Sequence, residues 1–157
     1  MIKSSLRISL SLLFFVLINV IWAQSPKDLK IVSWNQKHLG RDSFDPKLAA
    51  PLLVQADLMA FQEVNTSESG KKALWKLKES IQEKNNEKLC AAFSEIPEGE
   101  RERFAFLWKN SRISFVTNSG EIIKDCENNV FTVRLGVKHA KEIAREPAIG
   151  TFQDKVT

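Results

Sequence analysis

Short apolar runs alternate with amphipathic stretches along the chain, and this alternation predicts a mixture of strands and helices. Residues 29–34 predict a first strand after a polar break, and the compact apolar run at 58–61 predicts a second strand buried on both faces. Residues 70–84 form the clearest predicted helix, because apolar side chains recur there at helical spacing opposite lysines and glutamates. Between the two strands, Asp45 predicts a helix start, and Pro51 predicts that this helix is short or kinked.

The second half of the chain is richer in predicted strands. Residues 89–96 predict one strand, and residues 103–108 and 112–116 predict a pair of strands joined across a short turn. Residues 147–153 predict a last strand, whereas residues 125–144 show no pattern that assigns them. This order of elements predicts an α/β fold with a mixed, largely antiparallel sheet and flanking helices.

Residues 1–23 have the pattern of a secretory signal peptide. Lys3 and Arg7 precede a run of 15 almost wholly apolar residues, and Ala23 offers a small residue at the cut. The run is shorter than the roughly 20 residues that a membrane span needs, so an uncleaved anchor is the alternative and no permanent span is expected. We therefore expect a secreted or periplasmic protein with one domain over residues 24–157.

Removal of the signal peptide changes the charge of the chain. The full sequence has a formal net charge of +4, whereas the remainder has 21 basic against 19 acidic residues and is nearly neutral. This balance does not by itself indicate nucleic-acid binding. A content of 43% hydrophobic and 27% charged residues is typical of a globular chain. In an oxidising compartment Cys90 and Cys126 could form one disulfide, and two free thiols are the alternative; their spacing fits no zinc-binding pattern.

The candidate chemistry lies in four short segments in a fixed order. These are residues 33–35, 61–64, 102–109 and 145–152. Asn35 and Glu63 fall at the carboxyl ends of two predicted inner strands, where ligand sites gather in sheet proteins. A single carboxylate beside a neutral amide suits Mg²⁺, which keeps most of its waters and is completed by substrate phosphate. Arg145 would add a fork of donors for phosphate oxygens.

The Ser-Trp-Asn segment at 33–35, the Gln-Glu-Val segment at 62–64 and the Arg-x-Pro segment at 145–147 resemble the endonuclease/exonuclease/phosphatase superfamily. This superfamily includes the deoxyribonuclease-like metal-dependent phosphodiesterases. The resemblance covers about residues 29–153 and implies part of a four-layer α/β sandwich. It also implies hydrolysis of a phosphoester with Mg²⁺ (or Mn²⁺), the substrate being nucleic acid, phospholipid or sugar phosphate.

The resemblance implies a role for each of four side chains. Glu63 matches the principal metal-binding carboxylate, and Asn35 matches an asparagine that helps to hold metal and scissile phosphate. Arg145 matches an arginine near the substrate phosphate. Glu102 matches a glutamate that orients a catalytic histidine, although Phe104 replaces the usual tyrosine beside it.

Other parts of the family machinery are missing from the sequence. The resemblance implies later segments with a catalytic His–Asp pair, and neither His38 nor His139 sits in such a setting; His38 is interpreted as a loop residue. We therefore expect the amino-terminal half of the family fold, truncated and weak or inactive alone. Its second half would be missing, which would leave a sheet face uncovered and favour self-association.

Two other interpretations compete with this one. The chain could be a non-catalytic binding or remnant protein that keeps half of the fold, which predicts no turnover and no effect of Glu63→Ala on activity. It could also be a small exported structural domain with an accidental motif match, which predicts a stable monomer without affinity for divalent metal.

Overall fold

The computed structural model describes residues 28–41, 44–96, 99–126, 129–136 and 147–156, with Gln36 described by its backbone alone. Within these residues the elements follow the order strand, helix, strand, helix and then seven strands. The strands are β1 (Ile31–Leu39), β2 (Leu58–Asn65), β3 (Leu89–Ser94), β4 (Glu102–Lys109), β5 (Ile113–Val116), β6 (Ile122–Ile123), β7 (Val130–Leu135), β8 (Ala148–Ile149) and β9 (Thr151–Asp154). The helices are α1 (Pro46–Leu53) and α2 (Glu68–Asn85).

Both helices begin and end where their local sequence favours it. The Asp45 carboxylate accepts a hydrogen bond from the Lys47 N–H, and a proline occupies the first turn of α1. Pro51 lies inside α1, which is only eight residues long, in agreement with the predicted short helix. Asn86 caps the carboxyl end of helix α2, and its φ of 52° is the left-handed conformation that closes many helices.

The strands form two sheets. A six-stranded sheet has the order β1-β2-β4-β3-β7-β8, and a three-stranded sheet has the order β6-β5-β9. The pairs β1–β2 and β3–β7 are parallel, and the other neighbours are antiparallel. The described residues therefore form an α/β fold with a mixed sheet and two helices, as the sequence predicts.

Alternate side chains of β4 show how the layers stack. Ala105 and Leu107 are buried in a core shared with the two helices, whereas Phe106 and Trp108 belong to a second core shared with β5 and β9. The six-stranded sheet thus has helices on one face and the smaller sheet on the other. Among the described residues both faces of the six-stranded sheet carry a packed core, while the missing second half, the uncovered sheet face and self-association stay predictions.

The predicted pairing of residues 103–108 with residues 112–116 is wrong. Strand β4 pairs with β2 and β3, whereas β5 lies in the other sheet and pairs with β6 and β9. The turn after Lys109 carries the chain between the sheets, and Trp108 packs on Phe115 with ring centroids 5.6 Å apart. The two strands are neighbours across a core and share no sheet hydrogen bonds. Local strand patterns do not distinguish these two arrangements.

A disulfide joins Cys90 of β3 to Cys126, which resolves the alternative left open by the sequence. Both cysteines are buried in the second core beside Trp108. No helix among the described residues is both long and apolar enough to cross a membrane.

Asp57 fastens the amino ends of β1 and β2 to the end of β4. Its carboxylate accepts hydrogen bonds from the Lys30 N–H at 3.0 Å and the Lys109 ammonium at 3.1 Å, and the side chain is nearly buried. Burial by itself raises the pKa of Asp57, but the two hydrogen bonds together with the positive charges of Lys109 and Arg112 outweigh it and hold the pKa below its ordinary value. This anchor lies at the opposite end of β1 and β2 from the candidate site.

Candidate functional site

The site begins with two irregularities at the carboxyl ends of β1 and β2. Asn35 pairs with Gln62 and Leu39 pairs with Val64, so β1 carries two more residues than β2 between these pairs. Strand β2 is also irregular against β4, where the pairing changes between Phe61 and Val64. Such bulges re-aim side chains and are common beside active sites.

Three residues in these bulges have left-handed backbones that non-glycine residues rarely adopt. The φ angles are 49° at Lys37, 66° at His38 and 56° at Glu63. Each such conformation costs on the order of 1 kcal/mol and persists only where the surrounding structure imposes it. The surrounding structure is firm here, because Leu39 and Val64 on either side are buried in the helix-side core.

Asn35 fixes the orientation of Glu63. The Lys37 N–H donates to Asn35 Oδ1 at 2.8 Å, and Asn35 Nδ2 donates to Glu63 Oε1 at 2.9 Å. Both contacts require the same orientation of the Asn35 amide, because an N–H donates to the amide oxygen and a carboxylate accepts from the amide nitrogen. One Asn35 oxygen lone pair stays available, but its amide nitrogen serves to position the carboxylate.

His38 joins the site from the bulge of β1. Its Nδ1 hydrogen-bonds to the Glu102 carboxylate and lies 3.9 Å from Glu63 Oε2. The Glu102 side chain is 11% exposed and that of His38 is 36% exposed, so the site is open to solvent on the histidine side. Ligand atoms of His38, Glu63 and Glu102 all lie within 4.8 Å of one another.

A close backbone contact holds the end of β1 against the start of α2. Gly40 has a φ of 96°, and a Cβ on it would lie 2.5 Å from the Gly70 Cα. A Cβ on Gly70 would in turn lie 2.0 Å from the carbonyl oxygen of Asn65, the last residue of β2. Asn65 pairs with Glu102, the first residue of β4. The two glycines therefore set the spacing of the strand ends that carry the site.

The structure brings together three of the four predicted site residues. Asn35, Glu63 and Glu102 converge, although they lie on three different strands. Arg145 lies outside the described residues. The roles predicted for all four residues are not tested by this geometry.

His38 is the residue that the sequence interpretation missed. The sequence predicts a loop residue, but His38 lies in β1 and contacts Glu102. Regular strand alternation from Asn35 cannot predict its direction, because the two extra residues of the bulge change the phase. Its closeness in sequence to Asn35 was the one signal that could have raised it as a candidate.

The donor set fits a divalent cation. Two carboxylates are hard ligands of the kind that Mg²⁺ and Mn²⁺ accept, and an imidazole nitrogen extends the set toward transition metals. The converging negative charges would also be stabilised by a cation between them. The residues present therefore fit the metal that the family resemblance implies, without fixing which metal it is.

Comparison with known proteins gives a distant likeness. No protein-family model matches the chain. A deoxyribonuclease from Thioalkalivibrio sp. (strain K90mix) is 26% identical over 133 residues, which cover 83% of this chain and 32% of that protein. The chain thus spans about a third of the length of this relative.

Proposed function

We propose that the chain carries the metal-binding part of an exported phosphodiester hydrolase of the nuclease type, with Glu63 as the principal ligand of Mg²⁺ or Mn²⁺. The observation that carries the proposal is the convergence of His38, Glu63 and Glu102 at adjacent strand bulges. Strained backbone gathered at one charged cluster is typical of functional sites. The distant deoxyribonuclease is an independent pointer to the same chemistry.

Each side chain has a task in this proposal. Glu63 presents one carboxylate oxygen to the cation, while Asn35 holds the other oxygen through its amide. Glu102, being the more buried carboxylate, fixes the far side of the site. A divalent cation bound there would neutralise charge on the scissile phosphate and assist attack by water.

DNA is the substrate class that we propose, since the similar protein is named a deoxyribonuclease. The near-neutral charge of the chain without its signal peptide means that binding would depend on the site and not on a broad basic surface. We also propose that the fold is part of a four-layer α/β sandwich, with the helices, the six-stranded sheet and the three-stranded sheet as three of its layers.

Export is proposed from the first 23 residues and is supported by the disulfide. The Cys90–Cys126 bond is of the kind that persists in secreted and periplasmic proteins.

The test is hydrolysis of single- and double-stranded DNA by the chain with Mg²⁺ or Mn²⁺. We expect a low rate that EDTA abolishes and that Glu63→Gln lowers by about 100-fold or more. Glu79→Gln is the matched control, because Glu79 is an exposed glutamate on α2 away from the site. DNA cleavage that survives both EDTA and Glu63→Gln would contradict the proposal. DNA binding without cleavage would favour the non-catalytic binding protein.

A further inference from the structure

We infer that His38 is a nitrogen ligand of the cation held at Glu63 and Glu102, so that the site binds Mn²⁺ more tightly than Mg²⁺. The inference rests on the proposed function, because it concerns the same cation. It adds a ligand that the family resemblance does not supply and a preference between metals.

The contacts of the imidazole place its Nδ1 between the two carboxylates. This nitrogen hydrogen-bonds to Glu102 and lies 3.9 Å from Glu63 Oε2. Two ligand atoms that bind one cation at about 2.1 Å lie roughly 3 Å apart when adjacent and about 4 Å apart when opposite. The observed separation falls inside this range, so one cation can reach both atoms. It would take the place of the proton shared by His38 Nδ1 and Glu102, which would be released to solvent, and these two side chains would move apart to about 3 Å.

The backbone holds the imidazole at this place. His38 follows Lys37 in a left-handed conformation, and the chain returns at once to the core through Leu39, which is 1% exposed. On the other side of the bulge, Asn35 is fixed by its hydrogen bond to Glu63. Both flanks of the bulge are therefore anchored, and the histidine is presented to the carboxylates by the strand and not by a free loop.

The chemistry of the ligands determines the preference. Mg²⁺ binds oxygen ligands and gives up its waters reluctantly, whereas first-row transition ions accept imidazole nitrogen readily. Carboxylates alone would serve Mg²⁺ and Mn²⁺ alike. The nitrogen ligand should therefore favour Mn²⁺ over Mg²⁺ by about tenfold or more, a factor in the range that single changes around metal sites produce.

The test is electron paramagnetic resonance of Mn²⁺ bound to the chain, with Mg²⁺ competition read from the free Mn²⁺ signal. Bound Mn²⁺ should show echo modulation from an imidazole ¹⁴N, and His38→Asn should remove it. Asparagine tolerates the left-handed backbone at this position and offers oxygen in place of nitrogen, so the variant should still bind Mn²⁺. The ratio of Mn²⁺ to Mg²⁺ affinity should fall by about tenfold.

Lys37→Asn is the matched control, because it changes an exposed residue of the same bulge that also has a positive φ. It should keep the nitrogen signal and the metal preference. Bound Mn²⁺ without nitrogen modulation, or modulation that persists in folded His38→Asn, would overturn the inference and leave the proposed function standing. Absence of Mn²⁺ binding by the unaltered chain would overturn both.

Discussion

Gly70 gives the sharpest test of how the fold positions the site. In a helix, replacement of glycine by alanine normally stabilises a protein by up to about 1 kcal/mol, because alanine loses less backbone entropy. Gly70 lies in the first turn of α2, so helix propensity alone predicts that Gly70→Ala is stabilising. The structure predicts the opposite sign.

The steric cost follows from the surroundings of the missing Cβ. An alanine Cβ would lie 2.0 Å from the Asn65 carbonyl oxygen, whereas real Cβ contacts essentially never fall below 3.0 Å. The obstructing atom is backbone, so relief requires about 1 Å of main-chain movement between β2 and α2. Overpacking in a fixed environment costs about 1–3 kcal/mol, and a backbone clash belongs at the upper end of that range. After the gain in propensity, we expect a net loss of about 2 kcal/mol.

Urea unfolding measures this loss, and a thermal melt should show the midpoint lower by roughly 6–10 °C. Because Asn65 pairs with Glu102 and lies two residues after Glu63, Mn²⁺ affinity should also fall by about tenfold. Gly120→Ala is the control: its φ of 86° costs about 1 kcal/mol, but its Cβ meets nothing within 4 Å and metal affinity should not change. Stabilisation by Gly70→Ala, or destabilisation without loss of metal affinity, would refute the reasoning.

Three further predictions concern the anchors of the fold. Asp57→Asn should cost about 3 kcal/mol in urea unfolding because it leaves the Lys109 ammonium without its buried carboxylate, whereas Asp45→Asn should cost almost nothing because asparagine caps a helix equally well. The folded pKa of Asp57 lies below its ordinary value of 3.8, so the stabilisation from Asp57 is complete above that pH and should be lost as the pH falls further. The free energy of unfolding of Asp57→Asn should therefore fall less steeply with acid than that of the unaltered chain, and an equally steep fall would contradict this. Reduction of the Cys90–Cys126 bond, which closes a loop with a sequence separation of 36, should lower the free energy of unfolding by about 4 kcal/mol, and an unchanged urea midpoint with reductant would contradict it.

The main elements could be predicted from the sequence because their signals are local. The strand around 58–61 and the helix around 70–84 are confirmed as β2 and α2, since a compact apolar run and a helical period each report burial directly. The partners of β5 could not be predicted this way. Strand β5 could face β4 across a core or pair with it in one sheet. The outcome depends on the turn after Lys109 and on the packing of the aromatic side chains of the second core, which are Phe106, Trp108, Phe115, Phe131 and Phe152.

Strand β7 (Val130–Leu135) shows a second limit. It pairs in parallel with β3, and its inward positions Phe131, Val133 and Leu135 alternate with exposed ones. The apolar and polar side chains of residues 131–135 therefore do carry a strand pattern, which the sequence interpretation left unassigned. The parallel partner far along the chain is what leaves little local trace in the sequence.

The candidate site was predictable in part, because the strands that carry it have local sequence signals. Asn35 and Glu63 stand at the carboxyl ends of two predicted inner strands, and the structure shows that these strands are parallel neighbours, which brings the two side chains together. The direction of the His38 side chain could not be predicted, because it depends on two extra residues in β1. It also depends on two consecutive left-handed residues, Lys37 and His38, neither of which is a residue type typical of turns. The contact between His38 and Glu102 is a property of the bulge, which the sequence does not reveal.

The central claim is that the chain binds one divalent cation through Glu63, and calorimetric titration with Mn²⁺ and Mg²⁺ tests it most directly. The account predicts one cation per chain, with binding lost in Glu63→Gln and retained in Glu79→Gln, both variants keeping the melting behaviour of the unaltered chain. Equal binding by the Glu63→Gln variant, or no binding by a folded unaltered chain, would contradict it.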